Sequence, residues 1–176
     1  MSDHPPIEQI YDLADISAGG AEVTVTASPP HLPKLADWLG VESVEKFRAV
    51  VNLKKLATNR YRYDADLTCD LTQSSVVSLE PVRTHIAESF SRELHVIHHN
   101  HAAPKSEEVT LAAAEDEAPE EIPSSRYDLA GPLLEELALA LDPYPRSPDE
   151  VFSPPEADEA PPESPFAVLK KLRGDG

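Results

Sequence analysis

Cysteine and aromatic residues are scarce in this chain of 176 residues. The one cysteine, Cys69, cannot form a disulfide within the chain, which fits a reducing compartment. Aromatic residues make up 6% of the chain and include a single tryptophan, Trp38. A core with so few large side chains cannot be extensive, so the sequence predicts one modest domain.

Long apolar runs and familiar catalytic motifs are also missing from the sequence. No run approaches the roughly 20 apolar residues that cross a bilayer, and the first twelve residues do not resemble a signal peptide. We therefore expect a soluble, cytoplasmic protein that has no membrane partner. There is no Gly-rich phosphate loop, and Ser74-Ser75 lacks the glycines of a nucleophile elbow. The sequence thus predicts a protein that is not an enzyme and has no cofactor.

Acidic residues and proline are abundant but unevenly placed. The chain has 32 acidic and 15 basic residues, for a net charge of −17. Residues 102–165 hold 12 of the 18 prolines and 17 acidic residues. This composition predicts disordered acidic linkers at 102–125 and 146–163. Because such a chain repels free nucleic acid, contact with RNA requires a local basic patch or a basic protein partner.

Alternating polar and apolar residues predict a curved antiparallel sheet. The pattern is clearest over residues 60–72, where one face is apolar from Tyr61 to Leu71 and the other is polar. Leu56 to Asn59 would form the hairpin connection before it. Glu88 and Arg92 interrupt the apolar face of the last strand, which predicts a bulge or an edge position there. The predicted strands cover residues 22–27, 44–54, 60–72 and 82–97.

Two helices are predicted to pack on this sheet. One follows the capping residue Ser28 and ends at Gly40, and Pro33 inside it predicts either a late start or an irregular first turn. The other covers residues 131–141, where leucines recur at every fourth position. The fold class is therefore α+β, with a single domain formed by residues 7–101 and 126–145.

Six basic residues on two neighbouring strands are the candidate RNA-binding residues. We expect their outward faces to form a basic patch on an otherwise acidic protein, and the alternative is an ordinary solvated sheet face. They are Lys46, Arg48, Lys54, Lys55, Arg60 and Arg62.

A histidine cluster near the end of the last strand is a weak candidate metal site. His95, His99 and His101 share one face of an extended strand, and imidazoles two residues apart can bind zinc or nickel. No further ligand accompanies them at a suitable spacing, so a polar strand end is the favoured interpretation.

The last residues differ from everything before them because they are apolar and basic. Ser164 and Pro165 are typical of a helix start, and residues 164–173 predict a short amphipathic helix. Such a helix would dock either on this domain or on a partner. Its candidate docking residues are Phe166, Val168, Leu169, Lys170, Lys171 and Leu172.

Three stretches in this order resemble the YceD family, the large ribosomal RNA subunit accumulation proteins. They are LTQSSVVSLEPV at 71–82, LALALDPYPR at 137–146 and SPFAVLKKLR at 164–173. Many members carry a Cys-x-x-Cys pair that aligns with Ser75 and Ser78, just before Glu80 and Pro81. This chain lacks both thiols, so the resemblance implies no zinc knuckle at this position.

The resemblance implies a non-catalytic factor that supports 23S rRNA accumulation and large-subunit assembly. The implied partners are 23S rRNA or the pre-50S particle, and a small basic ribosomal protein of the large subunit. The alternative is an adaptor or chaperone for a basic client protein that makes no contact with RNA.

Overall fold

The computed structural model describes residues 5–97 and 118–148. Within them, a mainly antiparallel sheet of five strands is covered on one face by two helices, as the sequence predicted for an α+β fold. A small two-stranded sheet pairs β1 (Ile10–Asp12) with β7 (Arg126–Asp128). A 3₁₀ turn, Leu13–Asp15, follows β1.

The main sheet has the order β2-β3-β4-β5-β6. Its strands are β2 (Ala21–Thr26), β3 (Ser43–Ala57), β4 (Arg60–Ser74), β5 (Pro81–Val96) and β6 (Glu120–Ile122). The first four form antiparallel pairs, whereas β6 runs parallel to β5 over Leu94–Val96. The long alternating runs of β3 and β4 account for this arrangement because they present one continuous apolar face.

The core lies between the inner face of this sheet and the two helices. Phe47, Tyr63, Leu67 and Leu94 are buried on the sheet side. Helix α2 (Ala130–Leu139) adds Leu133, Leu134 and Leu137, and helix α1 (Leu32–Leu39) adds Leu35 and Ala36. The leucine repeat of α2 therefore marks its buried face, as its spacing predicted.

Helix α1 begins later than Ser28, as the proline inside the segment suggested. Its first residue is Leu32, with Pro33 next, and His31 rather than Ser28 is the capping residue. The predicted capping role of Ser28 is wrong, because its hydroxyl instead lies 2.9 Å from Nδ1 of His31. Gly40 ends the helix at a left-handed φ of 70°, as expected for a glycine stop.

Two details of the predicted strands need correction. Composition places residues 118–125 in the acidic linker, but Glu120–Ile122 form β6 and Ile122 is buried. A three-residue strand among charged residues has too short an alternation to be recognised. Of the two alternatives predicted for β5, the bulge is not formed, because the register shifts lie in β3 and β5 pairs with β4 without a shift.

The edge position predicted for β5 is confirmed over most of its length. Among the described residues, Pro81 to Glu93 pair with β4 on one side and have no strand on the other. The predicted C-terminal helix at 164–173 and most of the linker ranges lie outside the described residues.

Candidate functional site

The polar face of the sheet carries five of the six candidate RNA-binding residues, in two separate groups. Lys46 stands opposite Asp70, and Arg48 stands opposite Thr68. Six residues further along β3, Lys54 stands opposite Arg62. At about 3.3 Å per residue, the two groups lie roughly 20 Å apart along the strand.

Acidic side chains occupy the space between these two groups. Asp64 and Asp66 lie on the same face, opposite Asn52 and Val50. Partial burial opposes ionisation of Asp64, but hydrogen bonds from Ser91 and Arg62 hold its pKa below the ordinary value. It is therefore negative at neutral pH, so the single continuous basic patch expected from the sequence is not formed.

Lys55 is the sixth candidate and lies on the other face of the sheet. It pairs with Tyr61, which is buried on the inner face, and a register shift follows it before Ala57. The expectation that Lys55 points outward with Lys54 is wrong, because consecutive residues of a strand face opposite ways. Tyr61 and Tyr63 are both buried, so neither ring is available to stack on a base.

The end of the β3–β4 hairpin nevertheless concentrates positive charge. We call residues 54–62 the hairpin tip; they contain Lys54, Lys55, Arg60 and Arg62 and no acidic residue. Arg60 contacts Glu93 at 2.6 Å, and Arg62 contacts Asp64 at 2.9 Å. Lys54 and Lys55 are exposed and form no ion pair with any described residue. Two full positive charges therefore face solvent at this end of the sheet.

The loop that joins β4 to β5 is organised by a buried serine. We call residues 75–80 the motif loop. The hydroxyl oxygen of Ser75, 1% exposed, accepts hydrogen bonds from the backbone N–H groups of Val77 at 3.0 Å and Ser78 at 3.3 Å. The hydroxyl of Ser78 accepts one from the N–H of Glu80 at 3.2 Å. The two serines thus hold the loop through hydrogen bonds, which need no metal.

This loop also packs on the segment that follows α2. The N–H of Val76 donates to the carbonyl oxygen of Pro145 at 3.0 Å, and Nε2 of Gln73 donates to the carbonyl oxygen of Asp142 at 3.0 Å. Oε1 of Gln73 is buried and has no hydrogen-bond partner among the described residues. Val76, Leu79 and Tyr144 remain exposed, so the loop presents apolar side chains to solvent.

Sequence reasoning missed a second polar cluster, on the inner face of the sheet. Arg92 contacts Glu135 of α2 at 2.9 Å and Glu120 of β6 at 3.6 Å, and its guanidinium lies over the ring of Phe90. Partial burial disfavours its charge, but the nearby Glu135 raises the pKa of Arg92 above its usual value. In the sequence, the only indication of this cluster is that charged residues interrupt the apolar pattern of β5.

The candidate metal-binding and nucleophilic residues do not form a site within the described part of the chain. Among those residues, no three His, Cys, Asp or Glu side chains form a metal-binding group. His95 lies on the polar face opposite Arg60, and His99 and His101 lie outside the described residues. Cys69 is buried, and that burial raises the pKa of its thiol to about 12. It is therefore a core residue, as its place in the alternation predicted.

One protein-family model matches this chain. The model described as large ribosomal RNA subunit accumulation protein YceD matches residues 63–173, which is 111 of the 176 residues. The chain belongs to the YceD family. The resemblance based on the three short stretches is thereby confirmed. No curated protein and no solved structure matches the chain significantly.

YceD membership implies a role in the accumulation of large-subunit ribosomal RNA. The family is one of ribosome-biogenesis factors without known catalytic activity. The matched region includes the motif loop, β5, α2 and the C-terminal segment, but begins just after the hairpin tip. In the described residues, no helix is long and apolar enough to cross a membrane.

Proposed function

We propose that this YceD protein is a non-catalytic, cytoplasmic factor that supports 23S rRNA accumulation by binding the RNA of the pre-50S particle. The hairpin tip is the proposed RNA-contacting element. The observation that carries this proposal is the group of four basic residues within 54–62, two of them free of ion pairs among the described residues. Because the tip lies outside the matched residues 63–173, the assignment rests on this chain's own side chains.

A strongly acidic chain can still contact RNA at such a site. Most of the negative charge lies beyond residue 101, and at physiological salt the Debye length is only about 8 Å. The phosphates near the hairpin tip therefore respond mainly to the tip and to its close neighbours Asp64 and Glu93. Distant acids reduce the long-range attraction without cancelling the local contact.

The alternative is an adaptor or chaperone for a basic client, such as a small ribosomal protein of the large subunit. The net charge of −17 and the acidic residues around Arg92 favour this candidate. Residues 149–163 add six acidic residues and no basic one. In this scheme the acidic segments shield the client until rRNA displaces them.

In-cell UV crosslinking with sequencing of the bound RNA, combined with gradient sedimentation, distinguishes the two candidates. Crosslinks in 23S rRNA and comigration with pre-50S particles support the RNA-binding function. Absence of crosslinks, with the protein at the top of the gradient, refutes that function and supports the adaptor.

A pair of charge reversals on β3 tests the hairpin tip itself. Lys54→Glu with Lys55→Glu should reduce crosslinking at least fivefold and lower the salt slope of RNA binding by about two. Lys46→Glu with Arg48→Glu makes the same charge change about 20 Å away and serves as the control. Equal loss in both variants would contradict the assignment of the RNA contact to the hairpin tip.

A further inference from the structure

An open groove runs between β5 and α2. Its volume is about 1090 Å³, and Leu56, Phe90 and Leu139 contribute its apolar side chains. Leu56 is 50% exposed and Leu139 is 79% exposed, so the groove leaves large apolar side chains in contact with solvent. Pockets for small molecules usually measure roughly 300–1,000 Å³, so this groove is large enough for a peptide segment.

The rim of this groove carries more acid than base. Glu120 and Glu135 share the single guanidinium of Arg92, and Arg60 neutralises Glu93. Glu136 also lines the groove and has no ion pair with a described residue. The surplus negative charge favours a basic ligand.

The groove also follows the open edge of β5. Within the described residues, β6 covers only Leu94–Val96, and Phe90 to Glu93 have no strand on their outer side. Natural proteins generally cover or blunt such edges, because an exposed edge can pair with other chains. A segment lying in this groove would cover the edge.

Charge identifies which part of the remaining chain fits this groove. Residues 98–117 carry five acidic residues and one basic, and residues 149–163 carry six acidic residues and no basic one. Residues 164–176 carry three basic residues and one acidic. Only the last of these segments has the charge opposite to the rim, and it also carries Phe166, Leu169 and Leu172 at helical spacing.

We propose that residues 164–173 of the same chain dock in the groove between β5 and α2. The apolar residues of the segment cover Leu56, Phe90 and Leu139, and its basic residues face the glutamates of the rim. A basic client of the proposed function would then have to displace this segment from the groove. The docking itself requires neither RNA nor client, so it can be refuted without refuting the proposed function.

The connecting chain is long enough for this contact. From Pro148 to Phe166 there are 18 residues, which span at most about 60 Å when extended. A domain of some 120 residues has a radius of gyration of about 14 Å, so every part of its surface lies within reach. Tethering also raises the effective concentration of the segment to the millimolar range, which suits a short and weakly binding helix.

Disulfide formation in the full chain tests the location. Ala167→Cys is combined with Ala118→Cys, which lies in the groove, or with Ser78→Cys, which lies in the motif loop. Ala118 and Ser78 are both exposed and similar in size to cysteine, and the groove and the loop lie about 30 Å apart along β5. In a glutathione redox buffer, we expect the 118–167 pair to form an intramolecular disulfide at least tenfold more readily than the 78–167 pair.

Further variants test whether the disulfide reports docking or random collisions of the tethered segment with the domain. Phe166→Ala with Leu169→Ala should lower formation of the 118–167 disulfide to the level of the 78–167 pair. Glu136→Lys should also lower it, whereas Glu42→Lys, a reversal at an exposed site near α1, should not. Adding Lys170→Glu with Lys171→Glu to Glu136→Lys should restore part of the loss.

Three results would overturn the proposal. Equal formation of both pairs would mean that the segment does not dock in the groove. Preference for the 78–167 pair would place it on the apolar side chains of the motif loop. Disulfides formed only between chains would assign the groove to a second copy of the protein.

Discussion

The hydroxyl of Tyr63 donates a 2.8 Å hydrogen bond to the carbonyl oxygen of Leu129. The donor is on the central strand β4 and the acceptor immediately precedes α2, 66 residues later. Both residues are fully buried, and the burial raises the pKa of Tyr63 well above its ordinary value, so the hydroxyl remains a donor. The bond therefore fixes where α2 begins on the sheet, and with it the position of Glu135 against Arg92.

Removing this hydroxyl should destabilise the protein measurably. Tyr63→Phe deletes the donor and leaves the ring in place, so we expect the free energy of unfolding to fall by roughly 0.5–1.5 kcal/mol. Tyr61→Phe is the control, because Tyr61 is buried on the same strand and makes no hydrogen bond through its hydroxyl within the described residues. Urea denaturation of both variants measures the difference, and equal stabilities would contradict a role for the Tyr63 bond.

The sheet was predictable because its strands are long and regularly patterned. Over β3 and β4 the alternation identifies the buried face correctly from Phe47 to Leu71. Helix α2 was predictable for the same reason, since its leucines recur at helical spacing. The short strands β1, β6 and β7 were not, because three residues give no periodic pattern and their pairing depends on distant partners.

The candidate site was predicted less well than the fold. Spacing along β3 located Lys46, Arg48 and Lys54, but the assignment of Lys55 to the same face ignored the alternation of the strand. The acidic strip formed by Asp64 and Asp66 depends on the register between strands, which a single sequence does not reveal. The groove could not be anticipated either, because Arg92 and Glu135 are 43 residues apart and meet only after α2 packs on β5.

The motif loop should depend strongly on Ser75 and weakly on Ser78. Ser75→Ala removes a buried hydroxyl and leaves the partly buried N–H groups of Val77 and Ser78 without their acceptor, so we expect a loss of about 1–2 kcal/mol. Ser78→Ala removes one exposed hydrogen bond and should cost at most about 0.5 kcal/mol. Thermal or urea unfolding measures both, and a smaller effect at Ser75 than at Ser78 would contradict the hydrogen-bond account of this loop.

Leu79 should be replaceable by glycine with a gain in stability. Its φ of 65° lies in the left-handed region, which costs a residue with a Cβ about 1–2 kcal/mol, and its side chain is 78% exposed. Allowing for the greater freedom of glycine in the unfolded chain, we expect Leu79→Gly to raise the free energy of unfolding by roughly 0.5–1 kcal/mol. Val76→Gly in the same loop, where φ is not positive, should lower it. A destabilised Leu79→Gly would indicate that the exposed leucine makes contacts that outweigh the strain.

The thiol of Cys69 should be unreactive in the native protein. Burial, with smaller effects from Asp70 and Glu45, raises its pKa to about 12. At about pH 8 the thiol is then almost entirely protonated, and access is blocked as well. Ellman's reagent should label Cys69 only after unfolding in guanidinium chloride. A Ser78→Cys variant supplies an exposed thiol in the same molecule, so the native protein should show one fast group, and the second should react only after unfolding. Two fast groups would mean that β4 opens readily in the folded state.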